Sequence, residues 1–159
     1  MLRLSKLGDY GTVIMACMAL EPERLYRTAE VASMVGVPLP TAGKVLKTLA
    51  RGGLLVSQRG AKGGYTLARR AQEISIAQII VAVEGPLGMT ECSAMAGLCL
   101  QEAGCPVRGN WLRINAAVLH ALESVNLADF ARPAAMPGAV PIDLGAIRAR
   151  RQGACTPEL

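Results

Sequence analysis

Between Leu54 and Ala68 the chain leaves the helical spacing of its apolar residues, and on either side it returns to it. Leu54 to Arg59 is expected to alternate between buried and exposed positions, as a half-buried strand does. Gly60-Ala61-Lys62-Gly63-Gly64 is a turn rich in the residue that accepts positive φ. Tyr65 to Ala68 is the returning strand. A mainly α chain carrying one hairpin is therefore expected. Aromatic content of 3% within 52% hydrophobic residues makes its core aliphatic.

Leu7, Gly11, Ile14 and Met18 recur at helical spacing, with Tyr10 and Cys17 beside them, and predict a helix over roughly residues 6–20 that Pro22 ends. Thr28 is placed to cap a short helix from Thr28 to Val35, because its hydroxyl can accept an orphan backbone N–H; Gly36 breaks that helix. Pro38 and Pro40 open a third helix, where a missing N–H costs little. Its inward stripe is Ala42, Val45, Leu46 and Leu49, while Thr41, Lys44, Lys47 and Arg51 lie mostly opposite. Past the hairpin, Ile76, Ile79, Ile80 and Val83 mark a helix capped by Ser75 and ended by Gly85-Pro86. Trp111, Ile114, Val118, Leu122 and Val125 make a long stripe on a final helix. Residues 131–159 turn to Ala, Pro and Gly with scattered Arg, the composition of a disordered tail.

Two short helices joined at a glycine and followed by a hairpin is the order of a winged helix-turn-helix. The second helix of such a pair must offer small or polar groups to the major groove, and Thr41, Gly43, Lys44, Lys47 and Thr48 suit that face. Arg59 and Lys62 bracket the wing tip, and Gly63 and Gly64 would let the hairpin approach a nucleic-acid backbone closely. Charge is uneven in the same sense. Residues 1–70 hold eleven Lys/Arg against four Asp/Glu, residues 71–130 two against six, and residues 131–159 four against two. Only the front half suits a polyanion. A solvated lysine face on an ordinary helical domain is the plainer alternative.

Five cysteines are present, and Cys92, Cys99 and Cys105 fall within fourteen residues at C-x6-C-x5-C spacing. They do not form a secreted disulfide framework. Ile14-Met15-Ala16-Cys17 resembles a lipoprotein cleavage box, but Asp9 stands where the apolar run should be. No apolar run approaches the roughly 20 residues of a membrane span. A cytoplasmic, reducing location is expected, where clustered cysteines bind metal more readily than they pair. Cys17 belongs to the apolar stripe of the first helix and Cys155 to the tail. No nucleophile–base pair, phosphate-binding loop or carboxylate pair stands out, and one histidine offers little acid–base chemistry near neutral pH, so no enzyme is expected.

Residues 1–130 resemble the family of winged-helix iron–sulfur transcription regulators that includes IscR, NsrR and RirA, most nearly its branch controlling the Suf cluster-assembly system. The likeness rests on Leu4-Ser5-Lys6 with Asp9-Tyr10, on Leu54-Leu55-Val56-Ser57 running into Arg59-Gly60, and on Gly63-Gly64-Tyr65-Thr66-Leu67-Ala68-Arg69. It continues through Val83-Glu84-Gly85-Pro86, the three cysteines, and Cys105-Pro106-Val107-Arg108-Gly109-Asn110-Trp111. The resemblance implies a homodimer paired through the Trp111–Val125 helix, a pseudo-palindromic double-stranded DNA operator, Arg59 in the minor groove, and Thr41 and Lys44 facing the major groove. IscR-like members place a glutamate where this chain has Gly43, so base preference does not transfer.

Iron–sulfur clusters are normally held by cysteine thiolates, typically four. Cys92, Cys99 and Cys105 would hold a cluster, 2Fe-2S or 4Fe-4S, at three corners and leave one for a weaker ligand. Zinc is the competing metal, but it prefers tighter cysteine pairs. IscR-like members place a histidine third after the last cysteine; here that residue is Arg108, which cannot ligate. The only histidine, His120, is expected at the surface or a dimer interface. NsrR-like members use an aspartate near the start of the first helix, and Asp9 matches it; its alternatives are capping that helix or pairing with Lys6.

The expected organisation is a winged helix-turn-helix over residues 1–84, a cluster-binding loop over 85–107, a dimerisation helix over 108–130 and the tail. The expected function is a cluster-sensing repressor of Suf/Isc cluster-assembly genes. A nitric oxide or redox sensor of the same fold is the alternative, and a cluster carrier without specific DNA binding is the alternative of another class.

Overall fold

The computed structural model describes residues 4–60 and 62–132. Helices α1 (Lys6–Ala19), α2 (Thr28–Val35) and α3 (Leu39–Arg51) precede strands β1 (Leu55–Gln58) and β2 (Gly64–Leu67). A single 3-10 turn (Ala71–Glu73) leads into α4 (Ile76–Glu84), α5 (Glu91–Ala94), α6 (Arg108–Glu123) and α7 (Leu127–Ala131). The tail expected over residues 133–159, with Cys155, lies outside the described residues.

Local chemistry sets most of these boundaries. Ser5 caps α1, its hydroxyl accepting the Gly8 N–H at 3.1 Å. Ser75 and Gln78 cap α4 reciprocally, at 3.2 and 3.1 Å. The predicted cap of α2 is corrected. Thr28 is the first helical residue and Arg27 the cap, with the Glu30 carboxylate accepting the Arg27 N–H at 3.5 Å. A reaching carboxylate thus replaces the hydroxyl. Gly36 ends α2 at φ 70°, a left-handed conformation that makes the sharp turn into α3.

The core is aliphatic as expected. Ile14, Met15 and Met18 of α1 meet Leu46 and Leu49 of α3 and Ile79 and Ile80 of α4, all buried. The predicted α3 stripe of Ala42, Val45, Leu46 and Leu49 is wholly buried. Cys17 is only half-buried, at the edge of that core.

β1 and β2 pair antiparallel, with Leu55 opposite Leu67 and Gln58 opposite Gly64. Expected alternation fails beyond Leu55: Val56, Ser57 and Gln58 are all exposed. A two-stranded wing has nothing to pack against at its far end. Its base is held by Tyr26, whose backbone exchanges two 2.9 Å hydrogen bonds with Tyr65. That bridge fixes the wing to the segment between α1 and α2.

The long helix expected over residues 108–130 is two helices. α6 stops at Glu123, and Asn126 caps α7 by accepting the Asp129 N–H at 2.9 Å. The break lets Leu127 enter the core fully buried, its N–H on the Ile74 carbonyl at 2.7 Å. Residues beyond the expected boundary at 84 therefore complete the first domain's core. Leu127→Ala is expected to cost about 2–5 kcal/mol in urea unfolding, and a loss under about 1 kcal/mol would show that α7 is not integral to it.

Candidate DNA interface and cysteine loop

The face of α3 opposite its buried stripe carries Lys44 and Lys47, both exposed, with Thr41 and Thr48 half-buried at its margins. Arg51 extends the strip, its Nε donating to the Lys47 carbonyl at 3.4 Å. On the wing, Arg59 and Lys62 are exposed either side of the tip. The ion pairs among the described residues engage Arg24, Arg70, Arg108 and Arg132, and none involves a cation of α3 or the wing. Arg24, which sequence position alone could add to this face, is held by Glu21 and Glu30 and lies over the Tyr26 ring. The cations of α3 and the wing tip are therefore left out of ion pairs among the described residues, as a phosphate-binding surface needs.

The two wing glycines have reasons within the fold. A Cβ on Gly63 would sit 2.3 Å from the Gln58 carbonyl oxygen, inside a turn closed by the Gly63 N–H on the Gly60 carbonyl at 2.9 Å. A Cβ on Gly64 would sit 2.5 Å from the Tyr26 carbonyl oxygen, and Gly64 is buried. Both residues shape the wing that carries Arg59 and Lys62.

The cysteine loop leaves α4 at Gly85 and returns at α6. Cys92 is buried on the one-turn helix α5, its sulfur 3.3 Å from the Thr90 hydroxyl. Cys99 and Cys105 are half-buried, and all three are free thiols. Two anchors that the sequence did not reveal hold this loop. Asn115, the buried residue of α6, accepts the Met89 N–H at 3.2 Å and donates to the Leu87 and Ser93 carbonyls at 3.3 and 3.4 Å. Glu102 accepts the Gly97 N–H and the Arg108 guanidinium, each at 2.6 Å. The first anchor fixes the arm bearing Cys92, and the second closes the segment bearing Cys99 and Cys105.

Arg108 stands where the resemblance places a ligating histidine, and its guanidinium is engaged by Glu102. Its buried Nε has no hydrogen-bond partner among the described residues. His120 is exposed in the last turn of α6. Asp9 is exposed in the first turn of α1 and neither caps the helix nor pairs with Lys6. The Glu84 carboxylate reaches the same helix end and accepts the Ser5 N–H at 2.8 Å.

Three free thiols in one short loop are chemically suited to a cluster. Spatially they are not assembled: among the described residues no three Cys, His, Asp or Glu side chains gather as one coordination set. Holding a cluster would require the three thiols to be drawn together. A mostly apolar cleft of about 220 Å³ lies beside the loop, lined by Leu4, Ile80, Leu87, Val118 and Leu122. A wider cleft of about 880 Å³, between the end of α1, the wing base and α7, contains none of the predicted site residues.

Comparison with known proteins follows the same division. The family described as "Rrf2: Iron-dependent Transcriptional regulator" matches residues 4–133. Protein rrf2 of Nitratidesulfovibrio vulgaris is 27% identical over 136 residues, covering 85% of this chain and 91% of that one. The HTH-type transcriptional regulator IscR of Photorhabdus laumondii is 29% identical over 129 residues, covering 80% of this chain and 78% of its own. The solved structure of CymR, the global cysteine regulator of B. subtilis, superposes with a TM-score of 0.65 at 29% identity, over 82% of this chain and 97% of that one.

The Gly97 N–H, and after it the Arg108 guanidinium, hold the Glu102 carboxyl below the usual carboxylate range. With the folded pKa depressed, the clip contributes fully above the unfolded value and is lost as pH falls through the folded one. An NMR titration of the Gly97 amide should therefore show its inflection below the ordinary glutamate value of about 4.3. Glu102→Gln should abolish that inflection; a wild-type inflection at or above the ordinary value would mean that the clip does not form.

Proposed function

The chain belongs to the Rrf2 family of winged-helix transcriptional regulators, and from that premise we propose that it is a cluster-sensing repressor of Suf/Isc iron–sulfur assembly genes. Its class is that of DNA-binding regulators rather than enzymes. In this reading Cys92, Cys99 and Cys105 hold the cluster, Asp9 supplies the remaining ligand, and a homodimer paired through α6 binds a pseudo-palindromic operator. Two-fold symmetry in the protein calls for two related half-sites. Lys44, Lys47, Thr41 and Thr48 meet the major groove, and Arg59 and Lys62 the minor groove beside it.

The observation that carries this reading is the placement of the thiols. They sit in a loop whose first arm hydrogen-bonds to Asn115 on α6, and α6 exposes Leu112 and Ile114. Apolar side chains left outside on a helix that also holds the loop are suited to a dimer contact responsive to it. A cluster, when bound, supplies bonds among thiolates that the loop alone does not bring together. In this reading the loop would draw Cys92, Cys99 and Cys105 together, and the arm bearing Cys92 would act on α6 through Asn115. Such an effect matters only if the two states differ in DNA affinity.

The likeness to CymR, the global cysteine regulator of B. subtilis, favours a second reading in which the same thiols answer a redox or nitric oxide signal. Free, unassembled thiols suit that chemistry as well. A cluster carrier gains no support, since it has no use for unpaired cations on α3 and the wing. No helix among the described residues is long and apolar enough to cross a membrane. A reducing cytoplasm is the compartment this proposal requires.

Oxygen-free purification should give coloured protein containing iron and sulfide, and Cys92→Ala should lose both. Titrating both forms on an assembly-gene promoter should give different affinities. Colourless, iron-free wild-type protein that binds at full strength and releases DNA on thiol oxidation would replace the first reading by the second. For the DNA face, Lys44→Ala should lower the salt-dependence slope of binding by about 1; an unchanged slope would take Lys44 out of the interface.

A further inference from the structure

Base edges are usually met by the first residues of a recognition helix. In α3 those residues are largely carbon. Leu39 is 52% exposed and belongs to neither buried cluster. Pro40 is exposed beside it, and Thr41, half-buried, follows with a hydroxyl. One turn on, at the same outward position as Pro40, stands Gly43. Lys44, Lys47 and Arg51 follow along the strip.

Nothing in the fold requires Gly43. It is not among the glycines with positive φ. A Cβ built there would meet only the Thr28 methyl, at 3.6 Å, an ordinary contact. An interior helical glycine weakens a helix relative to alanine. A destabilising residue with free space above it, in the middle of an exposed strip flanked by cations, is explained by something outside the chain that fills the space. The apolar group that the major groove of DNA offers is the C5 methyl of thymine.

We propose that the first turn of α3 reads thymine methyl groups. Leu39 and Pro40 supply the apolar contact, Gly43 lets the groove wall come against the helix backbone, and Lys44, Lys47 and Arg51 hold flanking phosphates. This rests on α3 being the DNA-reading helix, but not on any cluster. Half-sites recognised this way carry thymines under Leu39 and Gly43 rather than guanines awaiting a bidentate side chain.

The test uses the full chain and a footprinted promoter fragment, remade with deoxyuridine in place of thymidine. That change removes the methyl and keeps the pairing. Affinity should fall about fourfold for each contacted methyl removed. Leu39→Ser should narrow the difference between the two fragments. Gly43→Ala should raise Tm by about 3 °C yet weaken operator binding, opposite signs that a folding effect cannot produce. Equal wild-type affinity for both fragments, or a Gly43→Ala protein binding as tightly as wild type, would overturn the proposal. A chain that prefers the thymine fragment, and binds it equally tightly with and without cluster, would retain this inference and end the cluster-switch reading.

Discussion

Asn115 is the polar side chain on which the cysteine loop depends. Buried on α6, it satisfies the Met89 N–H and the Leu87 and Ser93 carbonyls together. Removing it would leave these groups to find other partners, and an unsatisfied buried polar group costs about 1–3 kcal/mol. The same three bonds attach the arm carrying Cys92 to α6. The cysteine loop is therefore tied to the helix that exposes Leu112 and Ile114.

Between that assembly and the DNA face stands α4. It packs on α1 and α3 to one side and on α6 to the other, and the loop begins at its C-terminal end. The wing joins the same body through the paired backbones of Tyr26 and Tyr65. In the proposed regulation, a displacement of α6 reaches α3 through one rigid intermediary. Separation of the two reading heads in a dimer, rather than the shape of either head, is then what changes. Packed aliphatic cores deform little, so the head can move as a unit.

Much of the head was legible because its determinants are local. The Gly36 turn, the α3 stripe and the Ser75 cap each depend on residues within a few positions of one another, and the structure keeps all three. Non-local partners decided the rest. Glu30 replaced Thr28 at the start of α2, and the buried Leu127, joined to Ile74, divided what periodicity read as one long helix. The predicted stripe through Ile114, Val118 and Leu122 is split between solvent and the cleft against α4. The sequence suggests nearness to DNA for Gly63 and Gly64, while the constraints the fold shows on them come from Gln58 and Tyr26. No spacing rule announces Asn115 or the Glu102–Arg108 clip, since each becomes a partner only once the loop has folded back.

That clip bears on how any signal could act. Glu102 joins the Gly97 backbone to Arg108, which closes the segment carrying Cys99 and Cys105. Ordering a backbone residue costs about 1–2 kcal/mol, and a loop closed in advance has met much of that cost. A cluster or an oxidant acting here would meet a structured segment whose thiols are displaced from one another, not a random coil. The free-energy difference between its states would then come from relocating two preformed arms against α6. Where the resemblance would place a ligating histidine, Arg108 serves the shape of the loop, and in the proposed reading the remaining metal contact falls to Asp9.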